Sequence, residues 1–273
     1  MDSDLTLAVR ALECLCAWSL GIQTLEFLRL LPHQQSGGVW SWAIQRDDLA
    51  HSTTWVQRGF GFLYSQRIHR LHLQLRLLMA ISLVVVGATI WNSSFLLLST
   101  LLVLIRWRGA FNGGSDFMTL VVLSGIFLAQ VIAPWLGSSL AWKAGLWYIT
   151  IHALSSYFLS GAVKLLYAGW RDGRALPVLL SGGLYGPLAT DSLLRHRVIA
   201  IGCAWSFILW ECAFPLALFD PRVTALWCVV GTGFHWMVFW YFGLNRFFWA
   251  WLCTYPALIY CATQLPRVLQ SQT

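Results

Sequence analysis

The residues of this sequence that could do chemistry are a few ionisable side chains set inside long apolar runs. Lys164 closes one such run, Tyr157-Phe158-Leu159-Ser160-Gly161-Ala162-Val163-Lys164-Leu165. A lysine held in apolar surroundings can serve as a base, and Gly161 beside it leaves room for a ligand or a close helix contact. The plainer alternative is a side chain that reaches back to the membrane interface. Glu211, in Trp210-Glu211-Cys212, lies mid-run; an acid there needs a partner, a proton or a pathway, and His235 or an arginine is the expected partner. His235 lies in Gly231-Thr232-Gly233-Phe234-His235-Trp236, where the glycines and the threonine fit either a tight helix contact or a small pocket. His152 shares a run with Lys164, but a helix separates the two by about 18 Å, so it is not a direct partner. A haem held between His152 and His235 has no second feature behind it.

Two further groups have structural readings beside chemical ones. Arg10/Glu13 and Glu26/Arg29 are spaced to meet on one helix face. In Phe111-Asn112-Gly113-Gly114-Ser115-Asp116, Ser115 or Asp116 can cap a following helix and the glycines supply a tight turn. No zinc motif, P-loop, G-x-S-x-G or H-E-x-x-H pattern is present, so neither a metal nor nucleic acid is expected.

Composition dictates the elements that position these groups. Of 273 residues, 58% are hydrophobic and only 11% charged, against about 25% charged in a soluble domain. The apolar residues fall in blocks that meet the length of a spanning helix, about 20 residues, and unpaired backbone groups are not tolerated in lipid. The expected fold is therefore all-α, a polytopic integral membrane helical bundle forming one domain over 1–273, with no separate soluble domain. Several of the seventeen tryptophans, Trp40, Trp42, Trp91, Trp107, Trp135, Trp142, Trp147 and Trp170, fall near expected helix ends, the place where indoles sit at bilayer interfaces. The seven cysteines lie in apolar runs and form no C-x-x-C pair; they read as small buried residues.

About eight spans are expected, near Leu5–Leu31, Arg76–Trp91, Ser94–Ile105, Phe117–Leu136, Trp142–Leu166, Val198–Leu218, Val223–Phe242 and Phe247–Ala262. The second and third form a hairpin turned at Asn92-Ser93; if they are one long helix the count falls to about seven. With eight, Arg46, Arg58, Arg67, Arg70, Arg106, Arg108, Arg171, Arg174, Arg195 and Arg246 share one side, while Lys143, Arg222 and Arg267 face the other. The arginine-rich side is then cytoplasmic and both termini lie outside, in a bacterial inner or other cytoplasmic-type membrane. An ionisable group within a span costs about 2.5–3.5 kcal/mol on insertion scales, which makes each one a functional candidate.

At these residues a resemblance emerges. The Asn112-Gly113-Gly114-Ser115-Asp116 turn, the stretch Ser160-Gly161-Ala162-Val163-Lys164-Leu165 followed by Trp170-Arg171-Asp172-Gly173, and Phe234-His235 followed by Phe247-Phe248 and Tyr255-Pro256-Ala257-Leu258 resemble, in order, motifs of the HTTM-domain membrane proteins, the family of vitamin K-dependent gamma-carboxylase. The resemblance covers roughly residues 75–262. It implies a quinol, vitamin K-like, as cofactor. Lys164 falls on the family's base, His235 on a histidine of the same pocket, and Gly161, Asn112, Asp116, Glu211 and Trp170 around them. The carboxylase's large non-membrane C-terminal region has no counterpart in these 273 residues. The leading expectation is a membrane enzyme that uses a quinol, related to the carboxylase or to peptide-maturation factors, with a protein or peptide partner beside the membrane lipids. The alternatives are a non-catalytic scaffold or accessory subunit, and a small-solute or lipid carrier with Glu211 and His235 lining its path.

Overall fold

The computed structural model describes residues 2–34, 38, 40–107 and 113–270, without the side chains of 48 and 267–270. Among these residues there are only helices and the turns between them. The first half holds α1 (Ser3–Leu30), the short α2 (Trp42–Gln45), α3 (Thr54–Leu63), α4 (Gln66–Val85), α5 (Ile90–Arg106) and α6 (Gly113–Leu136). The second half holds α7 (Ser138–Leu166), the short α8 (Ala168–Arg171) and α9 (Ala175–Leu180), α10 (Arg197–Ala213), α11 (Pro221–Phe242), α12 (Asn245–Leu252) and α13 (Tyr255–Gln270).

Six helices among the described residues are long and apolar enough to cross a membrane: α1, α4, α6, α7, α10 with its 3-10 extension to Phe219, and α11. The chain is an all-α, multi-pass membrane bundle. The expected hairpin exists as α4 and the shorter apolar α5, but its turn falls at residues 86–89 and α4 begins at Gln66 rather than Arg76. Asn92 is no turn residue. It closes a capping box with Thr89: the Asn92 N–H donates to Thr89 Oγ1 (3.2 Å), and the Thr89 N–H donates to Asn92 Oδ1 (2.8 Å). Its amide also donates to the Gly87 carbonyl (2.9 Å). The expected eighth span is broken into α12 and α13. Pro256 follows directly after Tyr255; within a continuous helix it would lack an N–H and press its ring on the Leu252 carbonyl, so α12 ends at Leu252 and α13 starts afresh.

Hydrogen bonds fix which ends lie together. The Tyr64 hydroxyl, just before α4, donates to the Leu102 carbonyl near the end of α5 (2.8 Å). Asn245, opening α12, donates to Glu26 near the end of α1 (2.6 Å). Phe27 of α1 stacks on Trp107 just after α5, centroids 4.9 Å apart, and joins these two ends, so Arg67, Arg106 and Arg246 gather at one end of the bundle. At the other end Arg10 is ion-paired with Glu13, as the spacing predicted, and the Glu13 carboxylate accepts from the Ala88 N–H (2.6 Å). Glu26 does not pair with Arg29 as expected; it turns to Asn245 and, at 3.8 Å, to Arg246.

The most extensive helix contact is between α6 and α7. A Cβ on Gly145 would lie 2.7 Å from the Gly125 carbonyl oxygen, and one on Gly125 would lie 2.6 Å from Ile149. Two glycines face to face let the backbones close, as van der Waals packing inside a membrane demands. One apolar core lies among α1, α4, α5, α6, α7 and α13; a second, rich in aromatic rings, lies among α7, α10, α11, α12 and α13. The tryptophans divide accordingly. Trp91 and Trp135 are 80% and 76% exposed at helix ends, whereas Trp107 and Trp142 are buried in the core.

Candidate functional site

Lys164 and Glu211 meet across the contact of α7 with α10. Lys164 Nζ donates to Glu211 Oε2 at 2.6 Å, to Oε1 at 2.8 Å and to Ser160 Oγ at 2.6 Å, and the Ser160 hydroxyl donates to Glu211 Oε1 at 3.1 Å. Ser160 stands one helical turn before Lys164, so α7 presents both groups on one face. The ammonium thus has three acceptors for its three donors. The carboxylate is nearly sealed, its side chain 3% exposed, and the lysine side chain is 17% exposed. Above the ammonium, Trp170 of α8 places its ring centroid 5.5 Å from Nζ. Gly161 makes the arrangement possible: a Cβ there would sit 2.7 Å from the Cys212 nitrogen and 2.9 Å from Glu211 Cβ. The expectation that Glu211 pairs with His235 or an arginine is corrected; its partner is Lys164. Lys164 does not snorkel. It folds onto the acid of the neighbouring helix.

Ser156, Ser160 and Lys164 form the polar part of a cleft of about 640 Å³ between α6, α7, α8 and α12. The rest of its lining is largely apolar, including Phe117, Met118, Phe247 and Trp251. Its walls open sideways: Phe117 and Leu159 are each 60% exposed and Val163 65%, on helices that face lipid. Trp251 has a buried indole N–H with no hydrogen-bond partner among the described residues, a donor to which no protein acceptor is offered.

His235 does not line this cleft. Its ring stacks on the Trp251 ring, centroids 5.0 Å apart and planes 18° apart, so it stands one ring behind the wall. Its Nε2 is 2.7 Å from the Tyr157 hydroxyl, which is 3.2 Å from the Tyr255 hydroxyl. Tyr157 in turn stacks on Phe214, with centroids 4.0 Å apart. The result is a buried His235–Tyr157–Tyr255 chain in an aromatic box. His152 takes no part: it is exposed, with Nδ1 2.9 Å from the Tyr148 carbonyl oxygen.

Asp116 is 1% exposed and lies in the first turn of α6, which starts at Gly113; neither it nor Ser115 is the cap. It accepts from Gln23 Nε2 at 3.4 Å and lies 3.8 Å from Arg246. Asn112 lies outside the described residues. Through Gln23 this group continues to Arg76, which is fully buried and donates to Gln23 Oε1 (2.8 Å), Thr24 Oγ1 (3.1 Å), Ser99 Oγ (3.1 Å) and Thr100 Oγ1 (2.8 Å). By sequence alone Arg76 falls at an expected helix start, and neither Tyr157 nor Ser160 stands out as a site residue. The available signal was polar residues at matching depth on successive spans: Gln23-Thr24, Arg76 and Ser99-Thr100.

In the connection after α8, outside the spans, the hydrogen bond from Arg174 holds the Asp172 carboxyl below its usual range. This pair is solvent-exposed and serves the turn, not the cleft. Among the described residues no three His, Cys, Asp or Glu side chains converge as a metal site would require. Compared with known protein families, with curated proteins and with solved structures, the chain matches none.

Proposed function

We propose that this protein is a membrane-embedded enzyme of the HTTM kind that binds a quinol, or another lipid-soluble phenol, in the cleft beside Lys164. The observation that carries the reading is a compact polar cluster, Lys164, Glu211 and Ser160, at the wall of an apolar cleft whose lining includes the exposed Phe117, Leu159 and Val163 of two spanning helices. Such a site suits a ligand with an apolar body and a few polar atoms. The rings of Phe117, Phe247, Trp170 and Trp251 supply flat apolar contacts, and Ser160 and Lys164 the polar ones.

A bound quinol supplies an ionisable hydroxyl and a reducing ring. The residues divide the proton work between them. Lys164 Nζ is an ammonium held against a carboxylate, so the base is the pair rather than a free amine. Lys164 lines the cleft and Glu211 lies behind it, so Lys164 Nζ passes a proton to the Glu211 carboxylate along their hydrogen bond and takes the hydroxyl proton of the ligand in its place. Ser160, which donates to one partner and accepts from the other, keeps them in register. His235, through Trp251, acts as a positioning residue for the cleft wall. The arginine-rich end, where Lys164 lies, faces the cytoplasm of a cytoplasmic-type membrane in this reading.

The carrier alternative fares worse. Of the two residues that would line its path, Glu211 is taken up by Lys164 and Ser160, whereas His235 is bonded to Tyr157 and packed among the rings of Phe234, Phe247 and Trp251, so they belong to separate clusters. The test is quinone and quinol binding to the purified protein in nanodiscs, for the wild type, Lys164→Ala and Glu211→Gln, with mass spectrometry of the lipids that co-purify. Binding or quinol oxidation that depends on both residues supports the enzyme. No quinone in the extract and no titratable binding by the folded wild type sinks it in favour of an accessory subunit.

A further inference from the structure

The helix α3, Thr54–Leu63, has no buried residue, yet it is rich in apolar side chains. Trp55 is 81% exposed, Phe62 65% and Val56 39%. At 100° per residue Trp55, Gly59 and Phe62 fall on one line along the helix, with Val56 and Leu63 on its flank, while Gln57 and Thr54 fall on the opposite side and Arg58 at the border. Ile44, in the preceding α2, adds a further apolar side chain, 59% exposed. A helix this short is not held by its own hydrogen bonds in water, and leaving such a strip wet forgoes its transfer free energy.

Its place in the fold says what covers it. Only Tyr64 and Ser65 separate α3 from α4, a spanning helix that opens at Gln66. Tyr64 is anchored: its hydroxyl donates to the Leu102 carbonyl, and its ring packs on Trp42 (4.6 Å) and stacks on Phe60 (5.5 Å). The end of α3 is therefore pinned at the level where α4 begins and α5 finishes, the boundary between lipid and water. The same stretch, residues 41–70, carries four arginines, Arg46, Arg58, Arg67 and Arg70, against two aspartates, Asp47 and Asp48. That excess of positive charge complements anionic headgroups.

We infer that α3 is an interfacial helix: its Trp55–Phe62 strip enters the bilayer at the headgroup boundary, and Arg58 at its border meets the phosphates of anionic lipids on the arginine-rich side. The partner is the lipid surface of the membrane that the bundle already spans.

Backbone hydrogen exchange of residues 54–63, followed by mass spectrometry on the full chain in nanodiscs, tests this. The discs are phosphatidylcholine alone or phosphatidylcholine with phosphatidylglycerol. The expected result is slowed exchange in both, slower by about five-fold in the anionic discs, the effect of one arginine near an anionic surface. Arg58→Gln removes the difference between the two lipids, and Trp55→Ser with Phe62→Ser speeds exchange in this segment while α4 and α5 keep their protection. Unprotected amides in both lipids overturn the proposal. So does protection that is indifferent to lipid charge and to Arg58, or protection that requires two copies in one disc.

Discussion

Lys164 Nζ lies 2.6 Å from Glu211 Oε2, and that contact joins α7 to α10 in a region where the sealed Glu211 carboxylate has no water to fall back on. Removing one partner leaves the other buried and unpaired, a loss of about 3–5 kcal/mol. Lys164→Ala and Glu211→Ala each lower the midpoint of thermal unfolding in detergent. The double variant Lys164→Met with Glu211→Leu recovers most of that loss, because no charge is left buried, yet it binds no quinol. Full binding in the double variant would separate the pair from the proposed function.

Gly161 sets the distance between those helices. Gly161→Leu drives a side chain into the Cys212 backbone and Glu211 Cβ; it costs about 1–3 kcal/mol by overpacking and weakens ligand binding along with stability. Gly202→Ala and Gly233→Ala, whose added Cβ meets nothing within 4 Å, serve as controls and are neutral or stabilising by about 0.5–1 kcal/mol, since glycine is the poorer helix former. Equal effects at all three glycines, read in the same unfolding assay, would count against the tight contact.

Arg76 donates to four neutral oxygens spread over α1 and α5. A lysine cannot reproduce that planar fork. Arg76→Lys and Arg76→Ala are expected to lose similar stability, about 2–4 kcal/mol, visible as a lower unfolding midpoint. Near-complete rescue by lysine would show that charge, not geometry, holds the three helices.

Tyr157 and His235 are coupled through the 2.7 Å bond between Oη and Nε2. Tyr157→Phe leaves a buried nitrogen without a partner and costs about 1–3 kcal/mol. In a double-mutant cycle with His235→Phe, the coupling is about 1 kcal/mol or more. Because His235 stacks on Trp251 at the cleft wall, these variants raise the quinol Kd without altering the response to Lys164→Ala.

The two ends of the bundle can be told apart by labelling. Cysteines placed at the exposed positions Arg67 and Arg171 react from one side of sealed vesicles, and ones placed at Val86 and Gly137 react from the other. Labelling of positions 67 and 86 from the same side would break the α4–α5 hairpin described above.

Much of the helical plan was legible because it depends on runs of like residues. The limits of α1, α6, α7 and α11 fall within a few residues of where the apolar blocks stop, and α11 opens at Pro221, two residues before the expected Val223, with the capping Asp220 accepting from the Arg222 N–H at 2.7 Å. Local rules failed where two readings competed. Asn92 is a turn former by type, yet three residues after Thr89 it becomes the far half of a capping box. Pro256 sits in a block apolar enough to read as one span, and breaks it.

The sequence by itself determined that this chain is a helical bundle in a membrane, because a chain with so few charges cannot dress a surface for water, and that Lys164, Glu211 and His235 each need an explanation. Only the tertiary structure decided who answers whom. Lys164 and Glu211 lie 47 residues apart in the chain, and Tyr157 and His235 lie 78 apart. Which polar groups meet depends on the rotation and crossing of helices, set by glycines such as Gly125, Gly145 and Gly161 through contacts that no single run of residues encodes.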